Sequence, residues 1–434
     1  MSFQSPYKSF VFEDMSFDPE SAIATFQYSF DSQRFFKETV KFSQSQIVPN
    51  KLVFESALEL AFWIAGVSYY KSFPTTSVIF KTNSPSREQA RFLSTVYSDG
   101  LSQFIFENKL GLDQMATFIG NERTVVAKSY EGEGVVLLQS GGKDSLLLAT
   151  LLKKHSIAYQ PWYISSSQKY PRVLDQLEFP LTTATRTIDV EGLKLALQEG
   201  GLNGHVPVTY IVLSLALVQA VLGNKDTILA AIGVEGEEPH AYVDDHPVNH
   251  QWSKTWTAEK LFLKYVEQFI SVDLRIGSPL RALSELRISE LFAEHCWGKY
   301  GDSFSSCNSA NYQQGSDNTI LTWCGSCPKC ANSYLLFAPF ISISKLQSVF
   351  FGQDLFAKSE LTETFKGLLG IDDVMKPFEC VGEVAELRLA YHMALQKHGS
   401  KITALPFKVP KSDFDYKKPH ESQAWTQTLL PPVY

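Results

Sequence analysis

The sequence has no run of lysine or arginine residues, and its 39 basic side chains are outnumbered by 46 acidic ones, which gives a formal charge of −7. Proteins that hold nucleic acid by neutralising phosphates need a concentrated basic surface. The charge balance therefore argues against a nucleic-acid partner, although a local basic face is compatible with it.

Two kinds of apolar segment are also missing. The first residues, MSFQSPYKSFVFED, have no basic start followed by an apolar run, so no secretory signal is expected. The most apolar stretch, residues 210–223, is too short to span a bilayer and contains Gln219. We interpret it as a buried helix and expect no membrane insertion.

Cysteine is scarce, with six residues in 434, but four of the six lie within residues 307–330. Such clustering is unlike a disulfide scaffold and favours a metal site in a reducing compartment. We therefore expect a cytoplasmic protein.

What the sequence does contain is enough apolar material for large cores, including 31 Phe, 18 Tyr and 7 Trp. A mainly disordered chain is excluded, and the length allows two or three domains. Residues 1–130 alternate short apolar-polar segments with helical patterns at 54–70 and after residue 85, which predicts an N-terminal α+β domain.

From residue 131 to about 300, buried strands such as VVLLQ alternate with helices, including those predicted at 208–223, 254–270 and 282–296. This alternation predicts an α/β fold with a doubly wound parallel sheet. Residues 301–434 carry the cysteine cluster, and their last hundred residues have a mainly helical pattern before a proline-rich tail.

The sharpest local motif is SGGKDS, which joins the strand VVLLQ to the following helix. Gly141 and Gly142 let the backbone turn close to a ligand, and the helix start supplies unpaired N–H groups that favour an anion. Ser140 and Ser145 add hydroxyls, Lys143 adds positive charge, and Asp144 suits a helix cap or a magnesium ion. The motif is not a Walker loop; it resembles the PP-loop of ATP pyrophosphatases, which cleave ATP between its α and β phosphates. An ordinary glycine turn is the alternative.

The cysteine spacing Cys307-x16-Cys324-x2-Cys327-x2-Cys330 suits a closed tetrahedral zinc site. Four protein ligands leave no open position, so we expect a structural role. An iron–sulfur cluster and free thiols remain alternatives.

Two polar segments precede helices and are predicted to face the ligand crevice of the sheet. In residues 202–209, Asn203, His205 and Thr209 are candidates for a binding site, and an Asn-Gly turn before a helix is the alternative. In residues 248–254 the candidates are Asn249, His250, Gln251, Ser253 and Lys254, and a capped helix start is the alternative. A carboxylate in residues 233–238, which follow the strand DTILAAIG and contain Glu235, Glu237 and Glu238, belongs either to a magnesium site or to a solvated acidic loop.

In order along the chain, the segments GVSYYK (66–71), SGGKDS (140–145), LNGHVPVT (202–209), VNHQWSK (248–254), CGSCPKC (324–330) and KPFECVGE (376–383) together resemble the MurL family, which epimerises UDP-N-acetylmuramoyl-L-alanyl-L-glutamate during peptidoglycan synthesis. The resemblance covers nearly the whole chain. Ser140 stands where members of the family carry glycine.

This resemblance implies a PP-loop (HUP-like) sheet and an ATP- and Mg²⁺-dependent inversion of the terminal L-glutamate of UDP-MurNAc-L-Ala-L-Glu. It implies ATP binding by residues 140–145 and structural zinc at the four cysteines. Acid/base candidates are His205, His250 and Lys254, because these groups titrate or can be tuned near neutral pH. Asn203, Thr209, Asn249, Gln251 and Ser253 are candidates for substrate binding.

A second enzyme class combines an SGG-x-DS loop with four cysteines, namely PP-loop ligases resembling 7-cyano-7-deazaguanine synthase. These are much shorter and lack counterparts to residues 1–130 and to the last hundred residues. A nucleotide-sensing module is the non-enzyme alternative, and it would release no AMP. The sequence leaves open the oligomeric state and the identity of the base.

Overall fold

The computed structural model describes residues 3–43, 50–243, 245–311 and 319–429, and nine strands within them form one sheet. The first three strands are the antiparallel meander that the alternating pattern predicts. Their inward rings, such as Phe12 and Tyr28, pack against Phe62 of the following helix. These strands are β1 (Ser9–Asp18), β2 (Ile23–Phe30) and β3 (Arg34–Lys41).

Helix α1 (Lys51–Ala65) begins three residues before the predicted start, because the Asn50 side chain accepts a hydrogen bond from the backbone N–H of Val53 at 3.2 Å. It is followed by α2 (Val67–Tyr70). Between them, a Cβ at Gly66 would lie 2.8 Å from a ring carbon of Phe12, so the close approach of helix and sheet requires glycine. The next elements are β4 (Ser77–Phe80), α3 (Arg87–Ser98) and α4 (Ser102–Glu107), the last two separated at Gly100 as predicted.

The central part of the chain confirms the predicted alternation of strands and helices. Its elements are β5 (Val135–Leu138), α5 (Lys143–Lys154), β6 (Tyr159–Ser165), β7 (Thr182–Thr187), α6 (Val190–Gln198), α7 (Val208–Leu222), β8 (Thr227–Leu229), the hairpin β9 (Ala241–Val243) and β10 (His246–Val248), α8 (Trp256–Phe269), β11 (Arg275–Gly277), α9 (Glu285–His295) and α10 (Trp297–Tyr300).

The strand order is β11-β8-β5-β6-β7-β3-β2-β1-β4, and five of the eight pairings are parallel. The chain runs outward from β5 through β6 to β7, then returns to the other side of β5 with β8 and β11. This reversal makes the central five strands doubly wound, with a switch point between β5 and β8. The PP-loop (HUP-like) subtype remains a prediction.

The N-terminal strands are continuous with the central sheet. Strand β3 pairs antiparallel with β7 over three residue pairs, and the Arg186 guanidinium binds both carboxylate oxygens of buried Glu38 at 2.7 and 3.0 Å beside this joint. The chain therefore contributes strands to the same sheet on both sides of the predicted boundary near residue 130. The division into 1–130, 131–300 and 301–434 remains a prediction.

Helices cover both faces of the sheet. Alternate residues of β5 point into two separate hydrophobic cores: Val136 joins the core that contains α1, α3, α7 and α8, while Val135 and Leu137 join the core that contains α5 and α9. Buried parallel strands need such cover on both faces. The central sheet is thus rigidly held, and its loops are free to carry function.

The last part of the chain is helical, as predicted, and extends the second core. The last described helix, Gln423–Leu429, packs against the edge strand β11, where Trp425 and Leu429 would contact a Cβ placed at Gly277. The helices are α11 (Asn308–Asn311), α12 (Pro328–Phe337), α13 (Ile343–Val349), α14 (Thr362–Leu369), α15 (Val384–His398) and α16 (Gln423–Leu429).

Among the described residues, one stretch, Lys51–Tyr70, is long and apolar enough to cross a membrane by length and composition. Most of its side chains are buried against the N-terminal strands. Core helices pass the same test, so this stretch is weak evidence for a membrane span.

Candidate active site at the switch point of the sheet

The SGGKDS segment lies at the carboxyl end of β5, beside the switch point. Gly141 has a φ of +77°, a conformation that residues with a Cβ rarely adopt. The hydroxyls close the loop on itself, because Ser140 N donates to Ser145 Oγ and Gly142 N donates to Ser140 Oγ, both at 3.3 Å. The loop thus delivers the N-terminus of α5 to the crevice.

A cavity of about 350 Å³ opens between this loop and the carboxyl end of β8. Crevices at the switch points of doubly wound sheets are where such folds bind ligands. Five separated segments of the chain line the cavity, and four of them supply residues from the predicted segments. The polar lining comprises Gln139, Ser140, Asp144, Ser145, Thr209, Glu235 and Lys254, together with Tyr163.

Size alone does not identify this site. A larger cavity of about 760 Å³ lies at the end of β1 and the start of α1, at the opposite edge of the sheet. None of the predicted site residues lines it. The chemistry of the residues therefore favours the smaller cavity.

Lys143 does not line the cavity; it lies buried behind it. Its Nζ is 2.5 Å from both Asp144 Oδ1 and Glu285 Oε2. Burial lowers the pKa of Lys143, but the two carboxylates raise it more, so the ammonium stays charged. Burial raises the pKa of Glu285 to about 7, against the opposing pull of Lys143. Lys143 thus fixes the start of α5.

A second ion pair lies on the cavity wall, where Lys254 Nζ is 3.0 Å from Glu235 Oε1. Burial alone would raise the pKa of Glu235, but Lys254, Lys329 and Lys143 lower it to about 2. The pKa of Lys254 lies above its ordinary value, because Cys380 and Glu235 outweigh burial. A charged Lys254 is suited to binding an anion.

His205 and His250 meet beside this wall, with their ring centroids 4.3 Å apart. Burial, the neighbouring His250 and Lys71 lower the pKa of His205 to about 3. Burial, above all, lowers the pKa of His250 to about 4, and its Nδ1 is 2.6 Å from Gln103 Oε1. Both rings are therefore neutral at pH 7.

The predicted substrate-binding residues divide into two groups. Thr209 lines the cavity, and Asn203 accepts a hydrogen bond from Lys71 Nζ at 2.6 Å, which joins the segments 66–71 and 202–209. In contrast, Asn249 and Gln251 are buried and hold their own loop, since Gln251 N donates to Asn249 Oδ1 at 2.8 Å.

Ser253 is buried as well. In this conformation the residues 249, 251 and 253 shape the loop that carries His250 and Lys254, and they do not open into the cavity.

The four cysteines converge, with all four Sγ atoms within 4.8 Å of one another. The distances Cys307–Cys327, Cys327–Cys330 and Cys324–Cys330 are 3.6, 3.6 and 3.7 Å. A tetrahedral zinc ion with four Zn–S bonds requires S–S separations of about 3.8 Å. This cluster can therefore bind a metal such as zinc.

The cysteine cluster is built against the SGGKDS loop. A Cβ at Gly142 would lie 3.2 Å from Ser306 Oγ, next to Cys307, and a Cβ at Gly141 would lie 2.7 Å from Leu321 Cδ1. Within the described chain, no other set of three or more His, Cys, Asp or Glu ligand atoms converges in this way.

Sequence reasoning missed three residues of the site. Glu285 lies in the first turn of α9 after the cap Ser284, where an acidic residue is common and gives no functional signal. Gln103 comes from the N-terminal helix α4, far along the chain from its partner His250. His240 is visible in the sequence but belongs to no motif; its ring centroid lies 6.1 Å from that of His250.

Comparisons with known protein families give matches that cover most of the chain. A family model described as the MurL N-terminal domain matches residues 1–278, and one described as the MurL C-terminal domain matches residues 303–409.

Three relatives carry the name UDP-N-acetyl-alpha-D-muramoyl-L-alanyl-L-glutamate epimerase. The protein from Xanthomonas oryzae pv. oryzae is 32% identical over 391 residues, which cover 88% of this chain and 84% of the relative. The protein from Salinispora tropica is 31% identical, with 93% of this chain and 89% of the relative covered.

The protein from a Micromonospora species is 30% identical, with 90% of this chain and 87% of the relative covered. Both family models and these full-length similarities lead to one conclusion: the chain belongs to the MurL family.

Proposed function

We propose that this protein is an ATP- and Mg²⁺-dependent epimerase that converts the terminal L-glutamate of UDP-MurNAc-L-Ala-L-Glu to D-glutamate. Two facts support this proposal: its relatives carry the name of that epimerase, and the glycine loop and the Lys254–Glu235 pair line the switch-point cavity, with the Lys143–Glu285 pair buried behind it. The polar lining of this cavity is the main structural observation in support of the proposal.

ATP binds with its phosphates at the N-terminus of α5, in a PP-loop manner. Backbone N–H groups at residues 141–145 and the hydroxyls of Ser140 and Ser145 bind the phosphates, and the helix dipole favours their negative charge. Lys254, on the opposite wall, adds a positive charge that stabilises the negative charge on the α-phosphate during adenylyl transfer.

Activation at the α-carboxylate makes the inversion possible. A carboxylate oxygen of the terminal glutamate attacks the α-phosphorus of ATP, the α–β anhydride bond breaks, and diphosphate leaves. The resulting acyl adenylate no longer carries the carboxylate charge, so the electrons left by removal of the α-proton delocalise into its carbonyl. Reprotonation on the opposite face inverts the centre, and water then cleaves the mixed anhydride to give AMP and the D-glutamyl product.

The acid and base come from His205, His250 and Lys254. The two histidines are neutral at physiological pH, which is the form that removes a proton. Lys254 is charged, which is the form that donates one. Its position on the cavity wall beside the histidine pair supports a division of labour in which a histidine deprotonates one face and Lys254 serves the other.

Mg²⁺ fits Asp144 and Glu235, because this ion takes one or two protein carboxylates together with phosphate oxygens of the nucleotide. It would neutralise charge on the leaving diphosphate. Zinc at the four cysteines would hold the SGGKDS loop from behind. This substrate and the reduced cysteine cluster support a cytoplasmic location.

The test is to incubate the protein with UDP-MurNAc-L-Ala-L-Glu, ATP and Mg²⁺ in heavy water. We expect deuterium at the glutamate α-carbon and release of AMP and diphosphate. Omitting ATP is the control and should abolish exchange. Exchange that proceeds without ATP would refute adenylation, and the absence of both exchange and AMP would refute the proposed function.

A further inference from the structure

His240 is a buried imidazole without hydrogen bonds. Its side chain is 8% exposed, and neither Nδ1 nor Nε2 has a hydrogen-bond partner among the described residues. Backbone groups of Glu379 and Pro377 lie close enough to the ring to raise its pKa slightly. The dominant effect is burial, which lowers the pKa of His240 to about 3, so the ring is neutral.

Packing alone does not explain a histidine at this position. The ring stacks on Phe378, with centroids 5.3 Å apart and planes 23° from parallel, a contact that phenylalanine would make as well. A phenylalanine would leave no buried polar atom unpaired, and unpaired buried polar atoms are rare in native proteins. The two ring nitrogens therefore indicate a ligand.

The position of the ring connects it to the histidine pair. His240 faces His250 edge-on at 6.1 Å, and His250 in turn contacts His205. His250 therefore contacts both of the other rings. Since His250 is a proposed acid or base acting on the terminal glutamate, a group in contact with it is a candidate for binding the adjoining peptide group.

The chemistry of a neutral imidazole restricts what it recognises. It offers one N–H donor and one nitrogen acceptor. A peptide group offers one C=O acceptor and one N–H donor, so the two are complementary. A carboxylate, which only accepts, would match the ring half as well.

We propose that His240 binds the peptide group between alanine and glutamate of the substrate through its ring nitrogens. This inference rests on the proposed function. It extends the site to a substrate-binding residue outside the motifs of the sequence.

Access to the ring requires residues 376–383, here called the cover segment, to lift. The cover segment has no helix or strand, and it is attached by polar contacts together with the packing of Phe378 on Phe106 and the burial of Val381 in the second core. Lys376 Nζ is 2.9 Å from Glu238 Oε2, Val381 O accepts from Gln251 Nε2 at 3.2 Å, and Gly382 N donates to Asn332 Oδ1 at 3.0 Å.

The test compares His240→Phe with the unaltered protein by calorimetric titration of UDP-MurNAc-L-Ala-L-Glu in the absence of ATP. UDP-MurNAc-L-Ala, which lacks the second peptide group, is the matched control ligand. We expect the dipeptide to bind about tenfold more weakly, the loss of about one buried hydrogen bond. The control ligand should keep its affinity within about threefold.

Melting temperature separates binding from packing. Because the substitution removes unpaired buried nitrogens, His240→Phe should melt at the same temperature or about 2 °C higher. A lower melting temperature, an equal loss for both ligands, or unchanged dipeptide affinity would each overturn the inference.

If His240→Phe does not fold, the same titration is made with His240→Asn and His240→Gln, because their side-chain amides mimic Nδ1 and Nε2 of the ring respectively. One of them should retain dipeptide binding better than the other, and equal affinities would overturn the inference. If the unaltered protein neither binds the dipeptide nor exchanges its α-proton, the proposed function itself fails.

Discussion

Replacing Lys143 with methionine tests whether the ion pair behind the SGGKDS loop is structural, functional or both. The Lys143 side chain is 6% exposed, and its Nζ contacts Asp144 and Glu285 at 2.5 Å each. Methionine fills similar volume without the charge. Glu285, also 6% exposed, would then lose the partner of its buried carboxylate, whereas Asp144, 25% exposed, can turn to water.

Breaking a buried ion pair by removing one partner costs about 3–5 kcal/mol. The cost should depend on pH, because the pKa of Glu285 is about 7 in the folded chain. Replacing Lys143 removes the charge that lowers the pKa of Glu285, so in the variant this carboxyl should keep its proton to a higher pH. Because Lys143 stabilises only the ionised carboxylate, we expect a larger loss of unfolding free energy at pH 8 than at pH 6.

Urea unfolding followed by circular dichroism measures this loss, and release of AMP measures function. The double variant Lys143→Met/Glu285→Leu has no unpaired charge from the pair and should recover most of the stability. We expect it to recover little AMP release, because the loop is no longer anchored. If the unfolding free energy of Lys143→Met were within about 0.5 kcal/mol of that of the unaltered protein, the reasoning would be refuted, since an ordinary surface substitution has an effect of that size.

Three further predictions follow from other parts of the structure. Gly141→Ala should raise the KM for ATP at least about tenfold, because φ is +77° there, while Gly142→Ala, at a φ of −84°, should have the smaller effect in the same assay. Cys327→Ser should lose bound zinc and melt at a lower temperature, while Cys296→Ser, a cysteine outside the cluster, should keep its zinc when metal is measured by mass spectrometry. Burial raises the pKa of Glu386 from 4.5 to about 8, so its contribution to stability is present below pH 4.5 and is lost as pH rises through 8; Glu386→Gln should flatten this part of the stability profile in urea titrations. Equal effects of the two glycine variants, unchanged zinc in Cys327→Ser, or an unchanged profile in Glu386→Gln would contradict the respective prediction.

The order of elements could be predicted from the sequence because most of the strands and helices carry a clear period of apolar residues. Helix α7, predicted at 208–223, spans Val208–Leu222, and β6 matches the predicted YQPWYIS segment residue for residue. The pairing of β3 with β7 could not be predicted. It involves three residue pairs far apart in sequence, and neither strand carries a local signal for its partner.

The candidate site was predictable where one segment holds the chemistry and less so where several segments meet. The glycine loop and the four cysteines each show their role in their spacing. The orientation of Lys143 depends on Glu285, which lies 142 residues away in the chain, and no local pattern reports that contact. For the same reason the sequence suggested an open phosphate-binding lysine where the structure has a buried ion pair.

The joint between β3 and β7 has a consequence for dividing the protein. A fragment ending near residue 130 would leave β3 as an unpaired edge, and the complementary fragment would leave β7 in the same condition. Exposed edges of this kind recruit other strands and promote aggregation. Glu38 would in addition lose Arg186 and be left as a solitary charge in an apolar setting. Expression in halves should therefore give insoluble material, and co-expression of the two pieces should restore solubility by re-forming the seam.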